Sequence, residues 1–146
     1  MSKLLKIGVA GLGTVGAALL SQIARQRELL TAKCGRAIEV TAICARSKGK
    51  DRGIDLSKIK WSDDPVALAR STDIDVFVEL MGGAGDPAKA AVEAALAAGK
   101  SVVTANKALL ARHGVALAAI AEKNGVALNF EAAIAGAITD VRTMGR

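Results

Sequence analysis

The stretch LLKIGVAGLGTVG, residues 4–16, decides the fold. An apolar run typical of a buried strand leads directly into G-x-G-x-x-G at Gly11, Gly13 and Gly16, and a helical pattern follows from Thr14. Strand, glycine turn and helix in this order predict a dinucleotide pyrophosphate site, because N–H groups at a helix N-terminus bind phosphate oxygens. The three glycines would permit the sharp turn, let the backbone approach the pyrophosphate and let the helix pack on the strand, respectively. A chain with 15 glycines can contain this pattern by chance, so its position between strand and helix carries the prediction.

Length and composition bound the class of protein. The 146 residues, 51% of them hydrophobic, are enough for one buried core and too few for two ordinary domains. No uninterrupted apolar run approaches the roughly 20 residues that span a bilayer, and residues 1–6 lack the order of a signal peptide. We therefore expect a cytoplasmic protein with no membrane partner.

The two cysteines and the single histidine do not predict a metal site. Cys34 and Cys44 lack metal-ligand spacing, and Cys44 lies in an apolar strand pattern where a buried thiol is usual. We expect both cysteines to be reduced. His113 stands next to Gly114 and predicts a helix end rather than a zinc ligand.

The net charge of +6 raises the question of nucleic acid. One Trp and two Phe are too few for base-stacking platforms, and no nucleic-acid-binding motif is present, so we expect no nucleic-acid partner. A basic cluster at Arg46, Lys48, Lys50 and Arg52 is either a solvated loop or the rim of a phosphate site.

The rest of the chain alternates strand and helix patterns. After the first strand, the expected strands span residues 37–45, 74–80, 101–104 and 126–130. The expected helices span residues 14–29, a short segment opened by Ser62-Asp63-Asp64-Pro65, 88–98, and 107–123 with an interruption near Gly114. Residues 46–61 predict a long loop. Five strands alternating with helices predict the α/β class, with a doubly wound parallel sheet and right-handed crossovers.

In such a sheet, ligands bind beyond the carboxyl ends of the strands. Loops that begin at Gly11, Arg46, Met81 and Thr104 each bring glycine or polar groups directly after an apolar run. The candidate cofactor-binding residues in these loops are Gly11, Gly13, Thr14, Val15, Gly16, Arg46, Ser47, Lys48, Met81, Gly82, Gly83, Thr104, Asn106 and Lys107.

Arg46 bears on which dinucleotide is bound. An NAD site usually has Asp or Glu at this strand end, where the carboxylate accepts hydrogen bonds from the ribose 2′-hydroxyl. A guanidinium instead binds a 2′-phosphate through paired charge-assisted hydrogen bonds. Arg46, with Ser47 and Lys48 beside it, therefore favours NADP over NAD, although NAD remains an alternative.

Lys107 is the candidate catalytic residue. It follows Asn106 at the end of the fourth predicted strand, next to the expected nicotinamide. A lysine in a first helical turn is commonly only solvated, and that alternative stays open. In a functional role, its ammonium would bind a carbonyl or hydroxyl oxygen and stabilise negative charge that develops there during hydride transfer.

Four motifs in order resemble the nucleotide-binding part of homoserine dehydrogenase. They are GLGTVG at 11–16, ELMGG at 79–83, VTANKALLA at 103–111 and FEAAIAG at 130–136, and together they cover residues 1 to about 138. The resemblance implies a Rossmann NAD(P)-binding domain and the reversible, NAD(P)-dependent reduction of aspartate semialdehyde to homoserine, on the route to threonine and methionine. It further implies cofactor contacts from Gly13, Thr14, Val15 and Arg46, with Lys107 between nicotinamide and substrate.

The same resemblance implies a sodium ion in the last motif. In this family the segment holds sodium largely through backbone carbonyls, which implies ligands at Glu131, Ile134, Gly136 and Ile138. Family members then continue through a proline-containing stretch into a substrate and dimerisation domain, and residues 137–146 depart from that pattern. We therefore expect an NAD(P)-binding domain at 1–138, a divergent segment at 139–146, and no separate substrate domain.

Two functions of different classes follow. The chain is the cofactor half of a homoserine dehydrogenase, poorly active alone, or it is a stand-alone NADP(H)-binding module that acts through a partner chain. A related reductase of another small aldehyde or imine is disfavoured by the TANK segment at 104–107. Apolar surface left exposed where a further domain would pack predicts self-association, with a homodimer as the expected form.

Overall fold

Six parallel strands form one sheet in the computed structural model, which describes residues 4–12, 14–45 and 56–130 apart from the side chains of Thr14, Val15 and Cys34. The strands of this described part are β1 (Leu5–Ala10), β2 (Ile38–Cys44), β3 (Lys60–Ser62), β4 (Val76–Glu79), β5 (Ser101–Thr104) and β6 (Leu128–Phe130). Its helices are α1 (Thr14–Arg25), α2 (Arg27–Cys34), α3 (Pro65–Arg70), α4 (Ala88–Ala97) and α5 (Lys107–Lys123).

The strand order is β3-β2-β1-β4-β5-β6, and every neighbouring pair is parallel. The chain therefore builds outward from β1 through β2 to β3, returns to the other side of β1, and continues through β4 and β5 to β6. Because parallel neighbours need crossover connections, helices separate most of these strands along the chain. The predicted α/β fold with a doubly wound parallel sheet is confirmed.

Each face of the sheet carries its own apolar core. Alternate residues of β1, such as Ile7 and Val9, pack with Leu19, Ile23 and Leu30 of α1 and α2 on the first face. On the second face, Phe77 of β4 packs among buried residues of α3, α4 and α5. Phe77 is fully buried, as expected for a central strand covered by helices on both faces.

The strand-to-helix turn at Gly11 is built by two glycines. Gly11 has φ +103°, a conformation that side chains of L-residues rarely adopt. A Cβ at Gly16 would overlap the carbonyl oxygen of Gly11 and lie 3.1 Å from its carbonyl carbon. The first turn of α1 therefore lies directly against the end of β1, the close packing that the sequence predicts for the third glycine.

The first predicted helix is wrong in extent. Instead of one helix over 14–29, α1 ends at Arg25 and α2 begins at Arg27. Gln26 at the break has φ −104° and ψ 18°. Leu30 of α2 is 3% exposed in the first-face core, so α2 packs on the same face as α1. The local helical pattern continues through Gln26 and therefore did not predict the break.

The predicted long loop over 46–61 contains the start of a strand that the sequence did not reveal. β3 is three residues long and pairs Lys60, Trp61 and Ser62 with Ala42, Ile43 and Cys44 of β2. β3 lies at the edge of the sheet and contains both polar and apolar residues. Its sequence therefore has no apolar periodicity from which a strand could be predicted. Residues 46–55 lie outside the described part of the chain.

The predicted interruption near Gly114 is also wrong. α5 runs without a break from Lys107 to Lys123, so His113 lies in mid-helix and does not cap a helix end. Buried contacts of Leu109, Leu117 and Ala121 hold the helix on the second face. Burial on both sides of Gly114 offsets the low helix propensity of that single glycine.

The predicted start of the short helix is confirmed. Asp64 is the N-cap of α3, its carboxylate accepts a hydrogen bond from the Val66 backbone N–H at 3.0 Å, and Pro65 occupies the first helical position. Within the described ranges, no helix is long and apolar enough to cross a membrane.

The packing of Gly16 gives a direct test of the turn. We expect Gly16→Ala to destabilise the protein by about 2–3 kcal/mol, because its Cβ would displace α1 from the end of β1. The measurement is the free energy of unfolding from urea denaturation.

Gly114→Ala is the matched control. Its Cβ would lie 3.7 Å from the Leu110 Cβ, which is ordinary contact, so the same substitution should stabilise α5 by about 0.5–1 kcal/mol. Equal stability of Gly16→Ala and the unaltered protein would contradict the close packing at the turn.

Candidate functional site

The order of the strands reverses between β1 and β4. From β1 the chain passes through Gly11 into α1, which packs on the first face, whereas β4 leads through Leu80 toward α4 on the second face. In open α/β sheets, a reversal of this kind leaves a crevice at the carboxyl edge, which is where such sheets bind ligands. The candidate site is therefore centred on the ends of β1 and β4.

The loops after β1 and β4 are in close contact at this edge. A Cβ at Gly11 would lie 2.7 Å from the Leu80 carbonyl carbon and oxygen and 3.0 Å from the Met81 nitrogen. The Leu80 N–H donates to the Ala10 carbonyl at 2.8 Å, and the Gly11 N–H donates to the Cys44 carbonyl at 2.8 Å. Gly11 is thus needed to seat the ends of β1 and β4 together as well as to turn the chain.

The start of α1 has the geometry of an anion site. The helix begins at Thr14, so its first N–H groups have no partner within the helix and point beyond the strand end. With the helix dipole, these groups suit an anion. Gly13 lies outside the described residues, and so do the side chains of Thr14 and Val15.

The end of β2 is described only as far as Ala45. Cys44 is buried, as expected, and is a free thiol. Burial raises the pKa of this thiol, and the nearby carboxylates of Asp64 and Asp63 raise it further. Arg46, Ser47 and Lys48, on which the choice between NADP and NAD depends, lie outside the described residues, so the preference for NADP stays a prediction.

A buried carboxylate at the end of β4 organises the next loop. Glu79 is completely buried, and its Oε2 accepts hydrogen bonds from the backbone N–H groups of Met81 at 2.7 Å and Gly82 at 3.1 Å. Gly82 and Gly83 both have positive φ, 83° and 86°, so the loop uses backbone conformations that favour glycine. The Glu79 carboxylate thus fixes the ELMGG turn at residues 79–83 through these two hydrogen bonds.

The same carboxylate is connected to the end of β5. The Thr104 hydroxyl donates to Glu79 Oε1 at 2.6 Å and accepts from the Asn106 N–H at 3.0 Å. The Asn106 Nδ2 donates to the Gly83 carbonyl at 2.7 Å, and its Oδ1 caps α5 by accepting from the Leu109 N–H at 3.0 Å. One hydrogen-bonded network therefore joins the loops that follow β4 and β5.

Lys107 is the first residue of α5 and is exposed at the carboxyl edge. Among the described residues, its ammonium has no hydrogen-bond or ion-pair partner. The group is therefore free to bind an oxygen atom of a molecule in the crevice.

The structure brings most described candidates together. Gly11 and the first turn of α1 follow β1 at the carboxyl edge, and Met81–Gly83, Thr104, Asn106 and Lys107 lie at the ends of β4 and β5 along the same edge. The polar side-chain atoms of Thr104 and Asn106 are already paired within the protein, so these two side chains hold the loops in place. That any of these residues contacts a cofactor remains a prediction.

Sequence reasoning missed Glu79 as a site residue. The available signal was an acidic residue ending the otherwise apolar strand Val76-Phe77-Val78. A carboxylate in a strand covered on both faces is costly unless hydrogen bonds compensate for the lost water, so such a residue marks a polar network.

The predicted sodium ligands Glu131, Ile134, Gly136 and Ile138 lie outside the described residues, as does the divergent segment 139–146. Within the part that the structure covers, no three His, Cys, Asp or Glu side chains are grouped so as to hold a metal ion.

Comparison with known proteins identifies relatives over nearly the whole chain. The family described as "Homoserine dehydrogenase, NAD binding domain" matches residues 11–131. A homoserine dehydrogenase of Neisseria gonorrhoeae is 42% identical over 142 residues, which are 97% of this chain and 32% of that protein. The chain thus spans about a third of the length of the curated relatives that it matches.

Solved structures agree with the sequence relatives. The crystal structure of S. aureus homoserine dehydrogenase at pH 7.0 has a TM-score of 0.82 and 37% identity, covering 90% of this chain and 33% of that one. A hyperthermophilic archaeal homoserine dehydrogenase in complex with NADPH has a TM-score of 0.72 and 25% identity, covering 89% of this chain and 44% of that one.

The raised pKa of Cys44 predicts low reactivity. In a Cys34→Ser background, we expect iodoacetamide at neutral pH to alkylate Cys44 at least about tenfold more slowly in the native chain than in urea, because burial keeps the thiol protonated and covered. Mass spectrometry of timed samples measures both rates. Equal rates in the native and denatured chain would show that the thiol is accessible and contradict its placement.

Proposed function

This chain belongs to the family of homoserine dehydrogenase NAD-binding domains, and from that premise we propose that it binds the dinucleotide of an NADP-preferring homoserine dehydrogenase. The reaction proposed for the full-length enzyme is L-homoserine + NAD(P)⁺ to L-aspartate 4-semialdehyde + NAD(P)H, on the route to threonine and methionine. The observation that carries the proposal is the glycine turn at the reversal of strand order, with the start of α1 facing the crevice.

The residues at the crevice fit a dinucleotide. Because a Cβ at Gly11 or Gly16 would collide with neighbouring backbone, only glycine brings α1 this close to β1 and β4. The first-turn N–H groups of α1 would bind the pyrophosphate. A homoserine dehydrogenase of the same fold has been solved with NADPH, which supports a nicotinamide dinucleotide as the ligand.

The two ends of the dinucleotide would lie on opposite sides of β1. The ribose of the adenosine half sits at the end of the second strand in such folds, which assigns the 2′-phosphate to Arg46, Ser47 and Lys48. The nicotinamide half would then lie over the loops after β4 and β5. When bound, the nicotinamide supplies the carbon that accepts or gives up the hydride.

Lys107 is the proposed catalytic residue of this half. Its ammonium, which has no partner among the described residues, would donate a hydrogen bond to the substrate oxygen and stabilise negative charge that develops there. The Asn106 cap fixes the first turn of α5 and so fixes the base of this side chain. The network of buried polar groups beneath it limits the freedom of the loop.

Arg46→Ala tests the proposed preference for NADP. Removing the guanidinium should weaken NADPH by about tenfold or more and NADH by less than about twofold, since only NADPH carries the 2′-phosphate. Isothermal titration calorimetry with each cofactor measures both affinities. Arg70→Ala is the matched control, because Arg70 is an exposed arginine at the last position of α3, outside the loops that follow β1, β2, β4 and β5. Equal losses for the two cofactors would overturn the assignment of Arg46.

The second test is turnover by the 146-residue chain itself. We expect it to bind NADPH and to oxidise homoserine no faster than a Lys107→Ala variant, because the substrate grip and water exclusion would come from the part of the relatives that this chain does not span. NADPH absorbance at saturating homoserine and NADP measures the rate. Turnover well above the variant would show that this chain carries a complete active site.

Tight NADPH binding without turnover, together with a co-purifying chain that restores turnover, would instead favour the alternative of a module acting through a partner. The identity of the chain that restores turnover separates the two hypotheses. A substrate domain of the same family would favour the cofactor half of an enzyme, and an unrelated protein would favour the stand-alone module.

A further inference from the structure

We propose that Glu79 is a positioning residue that holds the nicotinamide half of the site in its binding geometry, while leaving the adenosine half unaffected. This inference rests on the proposed function, since it assigns the loops after β4 and β5 to that half. It names a residue that the sequence pattern did not single out.

The burial of Glu79 has no explanation in the core itself. The side chain has zero exposure and ends a strand whose preceding residues, Val76, Phe77 and Val78, are apolar. Among the described residues it forms no ion pair. An apolar residue would avoid the cost of removing a carboxylate from water, so the charge must serve what its oxygens bind.

All three described partners of the carboxylate lie in the loop after β4 or at the end of β5. Met81 and Gly82 donate backbone N–H groups from the loop after β4, and Thr104 donates its hydroxyl from the end of β5. Hydrogen bonds to an ionised acceptor are stronger than those between neutral groups. The carboxylate therefore fixes the two loops relative to each other.

From Thr104 the network reaches the catalytic candidate. Its hydroxyl accepts from the Asn106 N–H, and Asn106 both caps α5 and binds the Gly83 carbonyl. Lys107 follows Asn106 directly, so the direction of its main chain depends on this pair of contacts. Glu79 thus acts on Lys107 through Thr104 and Asn106 and touches no substrate itself.

The position of the network in the sheet separates the two halves of the ligand. β4 and β5 lie on one side of β1, and β2, whose end leads to Arg46, lies on the other. Loosening the loops after β4 and β5 should therefore weaken contacts to the nicotinamide end and spare those to the 2′-phosphate and adenosine.

The experiment compares two ligands and four chains. NADPH reports on the whole site, and 2′,5′-ADP, which lacks the nicotinamide, reports on the adenosine half. The unaltered chain, Thr104→Val, Thr104→Ser and Thr41→Val are titrated with each ligand by calorimetry. Thr41→Val is the matched control. Thr41 is also a strand threonine, and its hydroxyl donates a hydrogen bond of 2.6 Å to the Asp73 carbonyl, away from the loops after β4 and β5.

We expect Thr104→Val to weaken NADPH by about fivefold or more and 2′,5′-ADP by less than about twofold, consistent with the loss of a charge-assisted hydrogen bond. Thr104→Ser keeps the hydroxyl and should restore most of the NADPH affinity. Thr41→Val should leave both affinities unchanged. Hydrogen exchange followed by NMR should show faster exchange of the Met81, Gly82 and Asn106 amides in Thr104→Val alone.

Other outcomes overturn the inference in distinguishable ways. Equal weakening of both ligands by Thr104→Val would mean a general loss of structure, and unchanged NADPH affinity would mean that the network positions nothing. Unchanged amide exchange would show that the hydrogen bond between Thr104 and Glu79 does not hold the two loops relative to each other. Failure of the unaltered chain to bind NADPH would overturn the proposed function and the assignment of these loops with it.

Glu79→Gln gives a second readout that keeps the side-chain shape. Its amide can still accept from Met81 and Gly82 through one oxygen, but its NH₂ group would then face the Thr104 hydroxyl as a donor instead of an acceptor. NADPH should weaken more than 2′,5′-ADP here as well. Equal affinity of this variant and the unaltered chain for NADPH would contradict a role for the charge.

Discussion

The close approach of α1 to the ends of β1 and β4 is the constraint on which the rest of the structure depends. Gly16 lies against the Gly11 carbonyl, and Gly11 lies against the backbone of Leu80 and Met81, so three segments meet where a single methyl group would not fit. This contact sets the position of the helix start, closes the ends of the two central strands and opens the crevice beside them. Gly11 and Gly16 therefore serve both the packing of the fold and the geometry of the candidate site.

The two edges of the sheet hold their polar groups differently. At the amino edge, Asp75 receives the Lys6 N–H at 2.9 Å, and Asp73 pairs with Lys60 at 2.9 Å, a contact that lowers the pKa of the Asp73 carboxyl. The first contact joins β1 to the residue that precedes β4. The second is an exposed ion pair between β3 and the turn after α3, and such pairs contribute little to stability. At the carboxyl edge, Glu79 is fully buried and accepts hydrogen bonds from the loop after β4 and from the last residue of β5. The costlier buried carboxylate therefore lies at the carboxyl edge, where the candidate site is.

Much of the site could be predicted because each strand end is marked locally. Glycines after β1 and β4, and Thr104 through Lys107 after β5, interrupt apolar runs, and the rule that ligands bind beyond strand ends brings them together. What could not be predicted is which of these side chains hold the loops in place and which are left to bind a ligand. Thr104 and Asn106 read as ligand-binding side chains in the sequence, yet their polar atoms hold Glu79, Gly83 and α5, because side-chain partners far apart in sequence are decided by packing.

The sequence by itself determined five of the six strands, the parallel α/β class and the glycine turn, because periodicity and turn chemistry act over a few neighbouring residues. The tertiary structure decided the edge strand at Lys60, the break at Gln26, the continuity of α5 through Gly114, and the partners of Glu79. Each of these depends on burial or hydrogen bonds between segments distant along the chain. Such contacts form only when the sheet has assembled, so no local pattern records them.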